Sequence, residues 1–152
     1  MNLIFLDFDG VLNNTASLAE GIHLCPEKVI MVRNLCIELD CQVVISSSWR
    51  VIHTLAEIKE LLYRTGFHCR TRIIDTTPVN GIMDAGLNRY RRGYEIEKWL
   101  CSKAEDYNYA IIDDIDEFLP YQKSRFVRTN DHTGITSDDI FKIKQILTRE
   151  TK

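Results

Sequence analysis

The sequence lacks the features that mark several classes of protein. Its 152 residues include only seven glycines and three prolines, all scattered, and no linker, repeat or low-complexity segment is visible. No apolar run is long enough to span a bilayer, and acids follow the first apolar residues too soon for a secretory signal. The formal net charge is −3, so no overall basic field attracts nucleic acid or a membrane. We therefore expect a cytoplasmic protein without a membrane partner.

The cysteines are few and irregularly spaced. There are five, at positions 25, 36, 41, 69 and 101, and none forms a Cys-x-x-Cys pair. An odd number without that spacing argues against a disulfide framework and against a zinc site. The length and a hydrophobic fraction of 45% fit a single domain, residues 1–152, around one core. The oligomeric state is left open.

What the chain does contain is an alternation of short apolar runs and amphipathic segments. Strands are predicted at 3–7, 42–46, 72–75, 109–112 and 126–128, and helices start near Pro26, Thr54, Gly93 and Ser137. Thr54 and Glu57 are expected to form a capping box, and residues 78–92 are expected to be a loop. This alternation predicts an α/β fold with a mainly parallel, five-stranded sheet covered on both faces. Ligands of such sheets bind beyond the carboxyl ends of the strands.

Acidic pairs follow two of the predicted strands. Asp7 and Asp9 end the first strand, and Gly10 lets the chain turn there. Asp113 and Asp114 follow the fourth strand. Converging carboxylates stay ionised only beside a cation, and a hard ion such as Mg²⁺ prefers oxygen ligands. The alternatives are a solvated surface turn for the first pair and a helix cap for the second.

Hydroxyl and basic groups occupy two further places. Ser46, Ser47 and Arg50 follow the second strand, where hydroxyl and guanidinium groups suit phosphate oxygens. Arg91 and Arg92 stand at a helix start, where positive charge opposes the helix dipole and indicates a nearby anion. Taken alone, the segment after the second strand favours an ordinary loop with hydroxyl capping. The arginine pair taken alone is as consistent with a solvated charged turn as with an anion site.

In this order the four segments resemble the motifs of the haloacid dehalogenase superfamily of phosphotransferases. The matching residues are Asp7-Phe8-Asp9-Gly10, Ser46, Arg92 and Asp113-Asp114. Within that superfamily the chain looks closest to the small phosphatase domains of RNA-repair and polynucleotide-end-healing enzymes. The resemblance implies a three-layer, Rossmann-like sandwich. The family usually has lysine where this chain has Arg92, so Arg91 and Lys98 are alternative candidates for the basic residue.

The resemblance also implies a mechanism. Asp7 would attack phosphorus and form an aspartyl-phosphate, and Asp9 would exchange protons with the leaving group and the attacking water. Mg²⁺ would be held by Asp7, Asp113 and the Asp9 backbone carbonyl, with Asp114 nearby. Ser46 and Ser47 would hold the phosphoryl oxygens.

The gaps between the motifs are too short for a lid domain, which favours a capless site open to large substrates. Six arginines lie between residues 64 and 92, and Tyr90 and Tyr94 lie near the last three of them. Basic and aromatic residues together suit a single-stranded RNA or DNA end. The leading hypothesis is therefore a phosphatase of a polynucleotide 3′-phosphate. The alternatives are a phosphatase of small metabolites or nucleoside monophosphates, and a non-catalytic nucleic-acid- or phosphate-binding domain with a decayed site.

Overall fold

The five predicted strands all form, and they join one sheet in which every neighbouring pair is parallel. The structure is a computed structural model that describes residues 1–80 and 89–149. The strand order is β3-β2-β1-β4-β5. The strands are β1 (Asn2–Leu6), β2 (Cys41–Ile45), β3 (Ile73–Thr76), β4 (Asn108–Asp113) and β5 (Phe126–Arg128). The chain therefore has the predicted α/β fold, and its first strand lies at the centre of the sheet.

Alternating side chains of the sheet supply two cores. Ile4 and Leu6 face a larger cluster, whereas Leu3 and Phe5 face a smaller one. The larger core is covered by α2 (Pro26–Glu38), α3 (Leu55–Thr65) and α5 (Ser137–Leu147), and the smaller by α4 (Arg91–Cys101). These three layers are the predicted sandwich, and they fix the carboxyl ends of β1, β2 and β4 side by side.

The helix ends follow the local sequence, with some differences from expectation. Thr54 caps α3 by accepting the Glu57 amide, but the Glu57 carboxylate contacts His53 instead of completing a capping box. Helix α4 begins at Arg91, two residues before the predicted start. A further short helix, α1 (Thr15–Ala19), was not predicted, because five residues are too few to show a helical period.

The described residues contain no inserted cap domain. The connection from β1 to β2 holds α1 and α2, and the described part of the connection from β2 to α4 holds α3, β3 and two 3₁₀ turns, Ser48–Val51 and Arg70–Arg72. Residues 81–88 of the predicted loop lie outside the described residues. None of the described helices is both long and apolar enough to cross a membrane.

Candidate active site

The candidate site begins where the three central strands end. The Asp7 amide donates to the Ile112 carbonyl at 3.0 Å, and the Ser46 amide donates to the Leu6 carbonyl at 2.9 Å. These bonds extend the ladders of β1 with β4 and with β2 by one residue. Because all three strands are parallel, Asp7, Ser46 and Asp113 reach the same edge of the sheet. The predicted convergence of the motifs therefore occurs.

Three carboxylates meet at this edge. Asp7, Asp113 and Asp114 each offer an oxygen, and these oxygens lie within 4.8 Å of one another. Asp7 and Asp113 are buried, and Asp114 is half-buried. Gly10 makes room for the third acid: its φ is +76°, and a Cβ there would lie 2.5 Å from the Asp114 Cγ. The glycine of the first motif thus serves both the turn and the approach of Asp114.

Burial makes these acids costly to ionise. It raises the pKa of Asp7 to about 6 and, together with the charge of Asp7, raises the pKa of Asp113 to about 9. The Arg92 charge opposes both shifts. Without a further cation, at least one of the pair keeps its proton at neutral pH.

Arg92 is the basic residue that reaches the acids. Its Nη1 lies 3.5 Å from Asp7 Oδ1 and 3.7 Å from Asp113 Oδ2, and it donates to the Ser46 carbonyl. Of the two alternative candidates, Lys98 is exposed, and Arg91 lies 3.7 Å from the Glu95 carboxylate. The acids that lie beside the basic helix start are therefore Asp7 and Asp113.

The residues present fit a divalent cation. Among the described residues, Asp113 Oδ2 is a buried oxygen without a hydrogen-bond partner, and it points into a group of three carboxylates. A buried carboxylate oxygen without a hydrogen bond is costly, and a hard cation, which prefers oxygen ligands, would satisfy it. The Asp9 carboxylate is not part of this cluster. Any role of Asp9 as a metal ligand would fall to its backbone carbonyl, as predicted.

Asp9 is held separately, with its carboxylate exposed. Its Oδ1 accepts from the Asn13 amide at 2.9 Å, and its Oδ2 accepts from the Trp49 indole N–H at 3.2 Å. Asn13 is fully buried and also accepts from the Gly10 amide. The carboxylate is therefore held in a fixed orientation at the mouth of the site.

Ser46 and Ser47 have different surroundings. The Ser46 hydroxyl is buried and has no hydrogen-bond partner among the described residues, so it is free to bind a phosphoryl oxygen. The Ser47 hydroxyl accepts the Trp49 amide and caps the 3₁₀ turn that follows.

A comparison with known families agrees with this geometry. The profile described as the HAD domain in Swiss Army Knife RNA repair proteins matches residues 3–140, and that span includes every residue of the site. The chain belongs to this family. Neither a curated protein nor a solved structure matches the chain. Family membership supports a phosphatase of the HAD type, and enzymes of the HAD superfamily generally depend on Mg²⁺.

Arg50 is placed differently from the expectation for this HAD domain. Its side chain is 2% exposed and pairs with Glu95, which is 0% exposed, at 2.6 Å. It also donates to the carbonyls of Ser47 at 2.7 Å and Thr77 at 3.0 Å. These donors already have partners inside the protein, so Arg50 braces the loop after β2 rather than reaching a phosphate.

The arginine-rich segment is also divided by the fold. Arg72 precedes β3 and pairs with Asp40, which precedes β2, so both lie at the amino-terminal edge of the sheet. Arg64 and Arg70 pair with Glu60 near the end of α3. Only the later arginines belong to the side of the HAD domain that carries the acids. The six arginines are therefore not one continuous surface.

Sequence reasoning missed Asn13, Trp49 and Glu95 as parts of the site. Glu95 lies one helical turn after Arg91 and carried no signal of its own. Asn13 follows the Asp-x-Asp-Gly motif by three residues, and a buried amide that close to Gly10 could have been suspected from the turn. Trp49 lies between Ser47 and Arg50 in the loop after β2, and a single tryptophan in a loop does not by itself indicate a contact with Asp9.

Proposed function

We propose that this HAD domain is a Mg²⁺-dependent phosphatase that hydrolyses a phosphomonoester through a covalent intermediate on Asp7, and that its substrate is a polynucleotide 3′-phosphate. The observation that carries the proposal is the convergence of Asp7, Asp113 and Asp114 beside Arg92, where Asp113 Oδ2 has no hydrogen-bond partner among the described residues. This arrangement fits a site for a cation and a phosphate better than it fits a surface turn with solvated acids.

The proposed reaction consists of two successive displacements at phosphorus. In the first, an Asp7 oxygen bonds to phosphorus, the bond to the leaving oxygen breaks, and Asp9 donates a proton to that oxygen. In the second, Asp9 takes a proton from water, the water oxygen bonds to phosphorus, and the Asp7–phosphorus bond breaks to release inorganic phosphate. Arg92 and the Ser46 hydroxyl hold the phosphoryl oxygens.

Asp7, Asp113, Asp114 and the Asp9 carbonyl would hold Mg²⁺. When bound, the ion supplies positive charge that keeps the carboxylates ionised and offsets the charge of the phosphate. That charge opposes the burial that raises the pKa of Asp7, and it therefore favours the ionised carboxylate, which is the form that attacks phosphorus.

Three features support a polynucleotide end as the substrate. The described residues include no cap over the site. The matched family is one of RNA repair proteins. A polar depression of about 430 Å³ also opens beside Asp114, and Arg128 and His132 are among its lining residues. Asp114 and Asp131 also line this depression, so its lining is polar and of mixed charge, and its volume leaves room for the nucleotide next to the phosphate.

Release of inorganic phosphate from a 3′-phosphorylated oligonucleotide tests the proposal. We expect Mg²⁺-dependent turnover that Asp7→Asn lowers at least about 10³-fold, because the amide is not a nucleophile. Asp116→Asn is the matched control, since Asp116 is exposed and pairs with Lys123. Retained activity in Asp7→Asn would disprove the covalent mechanism. A panel with 5′-phosphorylated ends and nucleoside monophosphates decides the substrate class, and faster turnover of the mononucleotides would overturn the polynucleotide assignment.

A further inference from the structure

Three aromatic rings gather beside Asp9. The Trp49 ring lies 6.4 Å from the His23 ring and 5.9 Å from the His53 ring, measured between centroids. Beneath it, the buried Phe8 ring meets Trp49 edge to face at 5.2 Å. The Trp49 indole N–H donates to Asp9 Oδ2. We call His23, Trp49 and His53 the aromatic cluster.

Core packing alone does not explain this cluster. Phe8 is fully buried, but Trp49 and His53 are half-buried and His23 is exposed. The 3₁₀ turn that carries Trp49 also leaves Val51 and Ile52 exposed, at 61% and 78%. Rings with exposed edges and faces at the mouth of a site are available to a flat ligand.

The proposed chemistry places the leaving group beside the cluster. Asp9 donates its proton to the leaving oxygen, so that oxygen must come within hydrogen-bond distance of the carboxylate that Trp49 holds. In a 3′-phosphorylated polynucleotide the leaving oxygen and the terminal base are attached to the same sugar. The base is therefore attached one sugar ring away from the oxygen that Asp9 would protonate, and Trp49 is in direct contact with the Asp9 carboxylate.

We propose that the aromatic cluster is a subsite that stacks the terminal nucleobase of the polynucleotide from which the phosphate is removed. This inference rests on the proposed function and adds the part of the substrate that the cluster recognises. Stacking on aromatic rings tolerates every base, since each base has a π-face. The subsite would thus favour a nucleotide end over a plain phosphate ester without selecting a sequence.

The test compares Trp49→Phe with Trp49→Leu on two substrates. Both variants lose the N–H that reaches Asp9, so any effect on proton transfer is shared, and only Phe keeps a ring. On an oligonucleotide with a 3′-terminal base, we expect kcat/KM to be about 5- to 100-fold lower for Leu than for Phe. On the same oligonucleotide with an abasic 3′-phosphorylated terminus, the two variants should be equal. An equal Phe-to-Leu ratio on both substrates would overturn the stacking subsite while leaving phosphatase activity intact.

Tryptophan fluorescence gives a second readout that does not require turnover. The chain has two tryptophans, and Trp99 is buried. An unphosphorylated oligonucleotide should quench the wild-type signal, and Trp49→Phe should remove the quenching. The exposed His23→Ala should weaken binding without affecting folding. If no oligonucleotide quenches the signal, the inference fails even where small phosphate esters are hydrolysed. If wild type binds and quenches but releases no phosphate, the subsite stands and the proposed reaction fails.

Discussion

Replacing Arg50 with methionine removes the positive member of an ion pair that is buried on both sides. Glu95 is 0% exposed, and among residues 1–80 and 89–149 it would keep the Asn80 amide at 3.2 Å and the Arg91 guanidinium at 3.7 Å. The carbonyls of Ser47 and Thr77 would also lose the donor they share. Methionine fills a similar volume, so the effect isolates the charge and the hydrogen bonds.

The expected cost follows from these contacts. Breaking a buried ion pair by removing one partner costs about 3–5 kcal/mol, because the remaining charge is uncompensated. For a chain of this size that corresponds to a fall in Tm of roughly 6–20 °C. The pair also joins the loop after β2 to the helix that carries Arg92. Phosphatase activity should therefore fall at temperatures at which the variant is still folded.

Urea unfolding provides the measurement. Arg64→Met is the matched control: Arg64 is 75% exposed and pairs with Glu60 at the surface, so its loss should cost less than about 1 kcal/mol. The double variant Arg50→Met with Glu95→Leu should recover about 2 kcal/mol of the loss, because no buried charge then remains. A cost below about 1 kcal/mol for Arg50→Met would refute the buried-pair reasoning. The reasoning would also be refuted if the double variant lost as much free energy of unfolding as the two single variants lose together.

Two further predictions concern the acid cluster. In the metal-free protein the raised pKa values of Asp7 and Asp113 mean that the contribution of these two groups to the free energy of unfolding is fully present below about pH 4. This contribution is lost as the pH rises through the folded-state pKa values of about 6 and about 9. Mg²⁺ should therefore raise the Tm more at about pH 8.5 than at about pH 6. An equal rise in Tm at both pH values would contradict the assigned ligands. Gly10→Ala should weaken the Mg²⁺-induced rise in Tm more than Gly21→Ala does, because the two glycines share a φ near +75° but a Cβ at Gly21 has open space. If Gly10→Ala and Gly21→Ala change the Mg²⁺-induced rise in Tm equally, the effect comes from the backbone conformation that the two glycines share and not from the contact with Asp114.

Much of the fold could be predicted because strands and acids occur together in the sequence. The apolar runs before Asp7 and Asp113 end where β1 and β4 end, to within a residue, and β5 has the predicted bounds. Parallel strands then bring the acids together without further information. The sequence pattern therefore implied that the two acidic pairs lie near each other, although it did not show which carboxylates come into contact.

The role of Arg50 could not be predicted in the same way. Its partner Glu95 lies 45 positions later, and nothing local distinguishes an arginine that pairs internally from one that binds phosphate. The interpretation of the arginine-rich segment as one basic surface was wrong for a related reason. Helix α3 and strand β3 reverse the direction of the chain, so neighbours in sequence are distributed to opposite edges of the sheet.

The position of β1 has a consequence for synthesis of the chain. Asn2 and Asn108, which pair across β1 and β4, are separated by 106 positions. In a growing chain Asp7 and Asp9 are made long before the strand that ends at Asp113, and contacts of such separation in sequence form late. Any product of premature termination before β4 therefore carries the first aspartates without the second acidic pair. Such a fragment lacks two of the three carboxylates, Asp113 and Asp114, that meet Asp7 at the edge of the sheet.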